Sequence, residues 1–267
     1  MTVGGKGRRV SDTAGPYEEV ARRLAGSPFG AISYALQTES TNADAAARLG
    51  EERSGGLTFV AEYQRRGVGR KGRAWHAPPG TGLLFTTILP RTVATGRLWI
   101  VPFWTALAVR EALAACGVNA TLQWPNDLLL GDRKLAGILC QSRIAGEQAR
   151  VACGVGVNVR RPQDDTGVDP PPAYCDDVAP VPRAALLHAI LRGFESKLGS
   201  LDDPPVVAEA WERAALLPGR RYRIRREGEP ESFEATAVGL TDEGSLRVLR
   251  AGGEEERIAL GDARVLR

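Results

Sequence analysis

Twelve residues constrain this chain more than any others: Gln64-Arg-Arg-Gly67-Val-Gly69-Arg70-Lys71-Gly72-Arg73-Ala-Trp75. They lie between two apolar patterns, at 57–64 and 83–89, that both read as strands. Glycines 67, 69 and 72 satisfy G-x-G-x-x-G, the fingerprint of a dinucleotide-binding turn. That turn must open a helix and be followed by an acidic ribose ligand about 20 residues on. Ala77-Pro78-Pro79-Gly80 leaves no room for the helix, and residues 63–110 contain no aspartate or glutamate. The segment is therefore a glycine-rich loop between strands.

The same acid-free interval holds Arg65, Arg66, Arg70, Lys71, Arg73, Arg91, Arg97 and Arg110. Glycines let backbone N–H groups approach oxygens closely, and Arg70, Lys71 and Arg73 add charge-assisted donors, which together suit a carboxylate or phosphate. A solvated basic loop remains open, as does a nucleic-acid groove using Trp75 beside the cations. Composition restricts the rest. The chain has 267 residues, 43% of them hydrophobic, with 35 Lys+Arg against 32 Asp+Glu for a net charge of +3. This is a globular composition for one or two domains and not a disordered or fibrous one.

Strands are expected at 30–36, 57–64, 83–89, 120–124, 134–142 and 150–159. Helices are expected at 17–24, 43–49, 102–115, 183–198 and 206–216. Thr41 and Asp44 have the spacing of a capping box. Six prolines and five aspartates in 161–182 mark an extended surface loop. After Pro218-Gly219 the pattern changes to five short β segments at 221–226, 232–238, 245–250, 256–260 and 264–267. Residues 1–29 thus read as a loose tail and short helix, 30–217 as an α+β domain, and 218–267 as a small β barrel. The apolar run 98–109 is too short for a bilayer and reads as a core helix. No apolar h-region marks a signal peptide near the N-terminus. Cys116, Cys140, Cys153 and Cys175 have no zinc or redox spacing, which favours free thiols in a reducing cytosol. His76 and His188 are expected to be structural.

Three further features could carry chemistry. Trp124-Pro-Asn126-Asp127 precedes a Gly131-Asp132 turn and Lys134-Leu-Ala-Gly137, so a hairpin would bring Asp127 and Lys134 together. Such a pair suits charge building on phosphorus, or is simply a cross-strand ion pair. Glu39-Ser40-Thr41-Asn42 opens a helix and offers two hydroxyls and an amide to a polar head group, or a cap. Gly154-Val-Gly156-Val-Asn158 ends an apolar strand, where Asn158 needs a partner or a turn.

In this order, Ser40-Thr41-Asn42, Ala61-Glu-Tyr-Gln64, the 67–75 loop, Trp124-Pro-Asn-Asp-Leu128, Asp132-Arg-Lys134-Leu-Ala-Gly-Ile-Leu139 and Gly154-Val-Gly-Val-Asn158 resemble the biotin protein ligases. The resemblance is strong over about 35–160 and weak toward the C-terminus. It implies a mixed-sheet catalytic domain of the class II synthetase-like, biotin/lipoate ligase type, with an SH3-like barrel behind it. It further implies synthesis of biotinyl-5′-AMP from biotin and ATP with magnesium, then transfer of biotin to one lysine of a biotin carboxyl carrier protein.

Carried over by position, Ser40, Thr41, Asn42 and Gln64 would hold the biotin head, while Gly67, Val68, Gly69 and Arg70 would follow the valerate and adenylate. Arg70 and Lys134 would neutralise carboxylate and α-phosphate, and Arg73, Trp75, Asn126, Asp127 and Asn158 would face the nucleotide. Asp127 would act near magnesium or the incoming lysine. Val68 and Gln123 depart from the family's usual arginine and lysine. Only 39 residues precede Ser40, and the segment after 219 balances ten arginines with ten acids, so no DNA-reading module is expected. The expectation is a cytoplasmic enzyme with no DNA or membrane partner, a homodimer being compatible. A lipoate or octanoate ligase, or a nucleic-acid-binding module, is the alternative.

Overall fold

The computed structural model describes residues 14–164, 169–260 and 263–266. After a 3-10 turn come α1 (Glu18–Arg23), β1 (Ile32–Ala35), α2 (Thr41–Arg48), β2 (Thr58–Ala61), β3 (Gly82–Ile88) and β4 (Val93–Ala94). They are followed by α3 (Val101–Ala115), β5 (Thr121–Gln123), β6 (Asp127–Leu130), β7 (Arg133–Ala145), β8 (Gln148–Asn158), α4 (Arg183–Lys197) and α5 (Pro204–Ala214). The chain ends in β9 (Arg221–Arg226), β10 (Ser232–Leu240), β11 (Leu246–Arg250), β12 (Glu255–Ile258) and β13 (Ala263–Leu266). Most of the expected tail lies outside the described residues.

The larger sheet runs β1-β2-β3-β8-β7-β6-β5, with β4 paired to β8. It is mixed because β1 and β2 are parallel, joined through α2, and the other pairs are antiparallel. Ala45 of α2 and Leu49, its C-cap, pack on Phe59, Ile88 and Ala152 on one face. The principal core fills the other, where Trp104 of α3 stacks on Phe194 of α4 and Phe103 on Trp211 of α5. Pro102 sits in the first turn of α3, where its missing N–H removes no intrahelical bond. The run Thr95–Ala115 has the length and apolarity to cross a membrane, but 61% of its apolar window is buried inside the fold, as a core helix requires.

The second sheet is antiparallel, in the order β12-β11-β10-β9-β13. It is tied to the rest of the fold by Trp124 Nε1 donating to the Gly244 carbonyl (3.2 Å), Arg220 to the Leu122 carbonyl (2.8 Å) and the Leu240 N–H to Glu212 Oε1 of α5 (2.5 Å). Gly244 has φ +77, and a Cβ there would lie 2.5 Å from the Trp99 ring, so the turn and the tight contact both require glycine.

Several local expectations change. The capping box does not form: Ser40 is the N-cap residue and makes no side-chain cap bond. Asp44 instead accepts from the Thr38 hydroxyl at 2.8 Å, and the Thr41 hydroxyl turns toward Gln64. The 161–182 segment is not wholly a surface loop. Ala173, Tyr174 and Cys175 are buried because the Ala173 N–H donates to the Lys134 carbonyl and Asp177 binds Arg133 and Arg161. The four cysteines are free thiols, with Cys140 directly opposite Cys153 across β7 and β8.

Candidate active site

A cavity of about 430 Å³ opens over the β7–β8 half of the large sheet. Its floor is made by alternate residues of β8, which share one face. Gly154, Gly156 and Asn158 follow one another there, opposite Leu139, Gly137 and the start of β7. The glycines are required by what lies on them. A Cβ on Gly154 would sit 1.9 Å from Asn42 Oδ1, and one on Gly156 would sit 2.5 Å from the Trp75 indole. A Cβ on Gly137 would meet both Trp75 and Lys134 at 3.0 Å. Two side-chain spacings of β8 set the axis of the site, roughly 13 Å long.

At the Gly154 end the N-terminus of α2 meets β2 and β3. Gln64 Oε1 accepts from the Thr41 N–H (2.8 Å) and the Thr41 hydroxyl (3.0 Å). Asn42 donates to the Leu139 carbonyl at 3.0 Å and accepts from Thr86 at 2.6 Å. Ser40, Thr41 and Asn42 are buried yet line the cavity. This end is polar and uncharged.

The middle station holds Trp75, Lys134 and Arg70. Lys134 Nζ stands 5.3 Å from the centre of the Trp75 ring, a cation–π contact, and 2.6 Å from Asp127 Oδ1. Trp75 Nε1 is a buried donor without a partner, a cost that an acceptor on a ligand would remove. Arg70 reaches Asn126 Oδ1 at 3.4 Å and donates to the Leu260 carbonyl, just after β12. Burial lowers its pKa, the Asp127 carboxylate opposes that, and Arg73 adds to it. At the far end Asn158 donates to the Lys134 carbonyl (3.2 Å), and Pro170, Pro172 and Tyr174 form a wall.

The structure thus places Ser40, Thr41, Asn42, Gln64, Val68, Gly69, Arg70, Arg73, Trp75, Asn126, Lys134 and Asn158 around one cavity. Gly67 and Asp127 are not on its wall. Gly67 closes the base of the loop, where its carbonyl accepts from the Trp75 N–H at 2.8 Å and a Cβ would be 2.3 Å from the Trp75 carbonyl. Asp127 sits behind Lys134, so its reach to a ligand passes through that ammonium. His76, expected to be structural, is exposed and lines the opening. Among the described residues no group of three His, Cys, Asp or Glu could hold a metal. Asp164 brings a carboxylate to the cavity wall, while Asp127 is paired with Lys134 behind it, so a magnesium ion arriving with phosphates would take most of its ligands from them and from water.

Residues 32–158 match the model of the biotin/lipoate A/B protein ligase family. The biotin--[acetyl-CoA-carboxylase] ligase of Paracoccus denitrificans is 33% identical over 231 residues, covering 82% of this chain and 94% of that protein. The chain belongs to the biotin protein ligase family. The corresponding ligase of Mycobacterium tuberculosis is 29% identical over 253 residues, covering 91% of this chain and 92% of the other. Against the bifunctional ligase/repressor BirA of Bacillus subtilis the identity is 28%, and the match spans only 61% of that protein. A crystal structure of the Aquifex aeolicus biotin protein ligase with biotin and ATP shares the fold at TM-score 0.71 and 22% identity, covering 88% of this chain and 98% of the other.

Within this biotin protein ligase fold, two groups carried too little signal to be found from sequence. Pro170, Pro172 and Tyr174 reach the cavity from a segment whose composition reads as solvent-exposed loop. Thr86 is fully buried behind Thr41 and Asn42. Two threonines inside the apolar run 83–89 were its one available sign, since a buried hydroxyl needs a partner.

Proposed function

We propose that the chain activates biotin with ATP to biotinyl-5′-AMP and passes the biotin to a lysine of a biotin carboxyl carrier protein. The observation that carries this reading is the polarity along one axis: an uncharged hydrogen-bonding end at Thr41 and Gln64, then Lys134 and Arg70, then Asn126 and Asn158. A neutral head, a carboxylate and a nucleotide match those stations in turn. The biotin carboxylate oxygen bonds to the α-phosphorus as the bond to pyrophosphate breaks. This brings anions together, and Arg70 and Lys134 counter the charge in a partly buried site where such donors act most strongly. Asp127 holds the Lys134 ammonium in place. In the second step the carrier amine attacks the acyl carbon and AMP leaves. A magnesium ion would be held mainly by the phosphates and water, with the Asp127 carboxylate nearby, and would supply further neutralisation.

The basic loop supports this reading over a nucleic-acid groove. Arg65 and Arg66 pair with Glu39, Lys71 with Glu227, and Arg91 and Arg97 with Asp202. We further assign 30–217 as the catalytic unit and 218–267 as an SH3-like barrel, in a cytosolic enzyme that binds neither DNA nor membrane. Sedimentation separates a monomer from the homodimer that the family resemblance allows. The deciding assay is ATP-dependent pyrophosphate release with biotin, lipoate or octanoate, with and without a carrier domain. Biotin-dependent release is expected; its absence, or a preference for lipoate or octanoate, overturns the proposal.

A further inference from the structure

We infer that Glu227, in the turn after β9, is a positioning residue: by holding Lys71 it keeps the neighbouring Arg70 aimed across the cavity, so that the second sheet takes part in retaining the adenylate; this rests on the biotin reading above. Residues 67–75 fold as a small hairpin of their own. The Trp75 N–H donates to the Gly67 carbonyl (2.8 Å), the Gly69 N–H to the Arg73 carbonyl (2.7 Å) and the Arg73 N–H to the Arg70 carbonyl (3.3 Å), and Val68 pairs with Ala74. The tip is a turn with Lys71 at φ 58, ψ 34 and Gly72 at φ 70, the left-handed pair that a type I′ turn needs.

The first of those two positions suits asparagine, aspartate or glycine, and a lysine there carries the strain of its Cβ. What the lysine offers in return is reach. Its ammonium meets the Glu227 carboxylate, 156 positions on, with only 26% of the lysine side chain exposed. Arg73 adds a weaker attraction to the same carboxylate. One residue before Lys71, Arg70 donates to the Leu260 carbonyl and reaches Asn126 Oδ1 at 3.4 Å. The tip is thus fastened from outside the hairpin, and the hairpin walls the cavity with Val68, Gly69, Arg70 and Trp75. A guanidinium that must meet a carboxylate and a phosphate acts only where its support holds it, so freeing the tip widens the range of Arg70 and weakens its grip on the adenylate.

Turn and tether predict opposite results for Lys71→Asn. Asparagine suits the left-handed position better than lysine but cannot span to Glu227, so a residue needed only for the turn would leave adenylate retention unchanged or improved. The test loads the full chain with labelled biotin and ATP, removes both by gel filtration, and follows departure of biotinyl-5′-AMP into excess unlabelled biotin. Lys71→Asn and Glu227→Gln should each release it about threefold faster, the size of effect that losing an exposed ion pair allows, and Glu227→Lys should release it faster still. Exchanging the charges, Lys71→Glu with Glu227→Lys, should return the rate to within about twofold of the native chain. Melting temperatures should stay close to that of the native chain throughout, which separates positioning from loss of fold.

Unchanged release in Lys71→Asn or in Glu227→Lys overturns the inference, as does a charge exchange that releases the adenylate as fast as Glu227→Lys alone. Should Glu227→Lys fail to fold, Lys71→Asn and Glu227→Gln decide the matter, and indifference in either is then the overturning result. Absence of biotin-dependent pyrophosphate release from the native chain defeats the functional reading and this inference together. Adenylate that forms but leaves at one rate whatever stands at 71 and 227 defeats the inference alone.

Discussion

The Lys134 ammonium lies 2.6 Å from the Asp127 carboxylate, with 22% and 10% of the two side chains exposed. The contact crosses β6 and β7, whose register shifts between Leu128 and Leu129, so that Asp127 stands opposite Gly137 and leaves room for the lysine to lie over it. One cation is thereby fixed at the centre of the cavity before any anion arrives, which is preorganisation of the kind that lowers a phosphoryl-transfer barrier.

Lys134→Ala should lower pyrophosphate release by roughly 10²–10³-fold, the usual range for losing one preorganised group facing developing charge. Asp127→Asn keeps the ammonium and should cost roughly tenfold less. Steady-state turnover with saturating biotin and ATP measures both. Undiminished turnover in Lys134→Ala would remove it from the mechanism.

Gly154→Ala places a methyl 1.9 Å from Asn42 Oδ1. The strand floor cannot yield, so Asn42 must move into the cavity. Overpacking of this kind costs about 1–3 kcal/mol, and the biotin KM should rise together with a lowered melting temperature. Gly96→Ala, which meets nothing within 4 Å, is the control expected to leave both unchanged.

Lys71 pairs with Glu227, a contact 26% and 67% exposed. Breaking it with Glu227→Gln should leave the melting temperature close to that of the native chain, as for other exposed ion pairs. Cleavage within 65–73 by a limiting amount of trypsin should nevertheless accelerate in the absence of ligand, since the loop loses an anchor on the second sheet. Equal cleavage rates would show that Arg70 and the Leu260 carbonyl suffice.

Asp177 ties Tyr174 to the cavity wall. Burial pushes its carboxyl up, but the hydrogen bonds from Arg161 and the Tyr174 N–H and the charges of Arg161 and Arg133 outweigh it, holding the group below its ordinary range. A depressed carboxylate stabilises the folded state above its unfolded pKa of about 4 and loses that contribution as pH falls through the folded value. The difference in denaturant midpoint between the native chain and Asp177→Asn should therefore be full near neutrality and vanish in strong acid. A pH-independent difference would assign Asp177 a packing role only.

Residue types that carry their chemistry in their identity were legible in the sequence. Gly154 and Gly156 announced a close approach, and the structure shows that Asn42 and Trp75 make it. The pairing of Asp127 with Lys134 followed from strand–turn–strand spacing alone. Most strand identities were readable, since alternation and length decide them; β4, β6 and the outer reach of β7 to Ala145 were not, because β4 and β6 are too short to show a period and the end of β7 is exposed.

The capping box failed because Thr41 had a stronger competitor for its hydroxyl in Gln64, 23 positions away. Tyr174 was invisible for a related reason. Its neighbours are prolines and aspartates typical of exposed loops, while the bonds that bury it come from Lys134, Arg133 and Arg161. Local pattern reports what a residue prefers; only tertiary pairing decides which preference is met.

Lys71 meets Glu227 across 156 positions of sequence, and Arg70 meets Leu260 across 190. Synthesis runs from the N-terminus, so the ribosome releases the basic loop long before these partners exist. Throughout that interval Arg70 and Lys71 lack these partners, whereas Glu39, made before the loop, is already present for Arg65 and Arg66. The two cations at the tip of this loop are thus among the last groups of the molecule to acquire their final electrostatic surroundings.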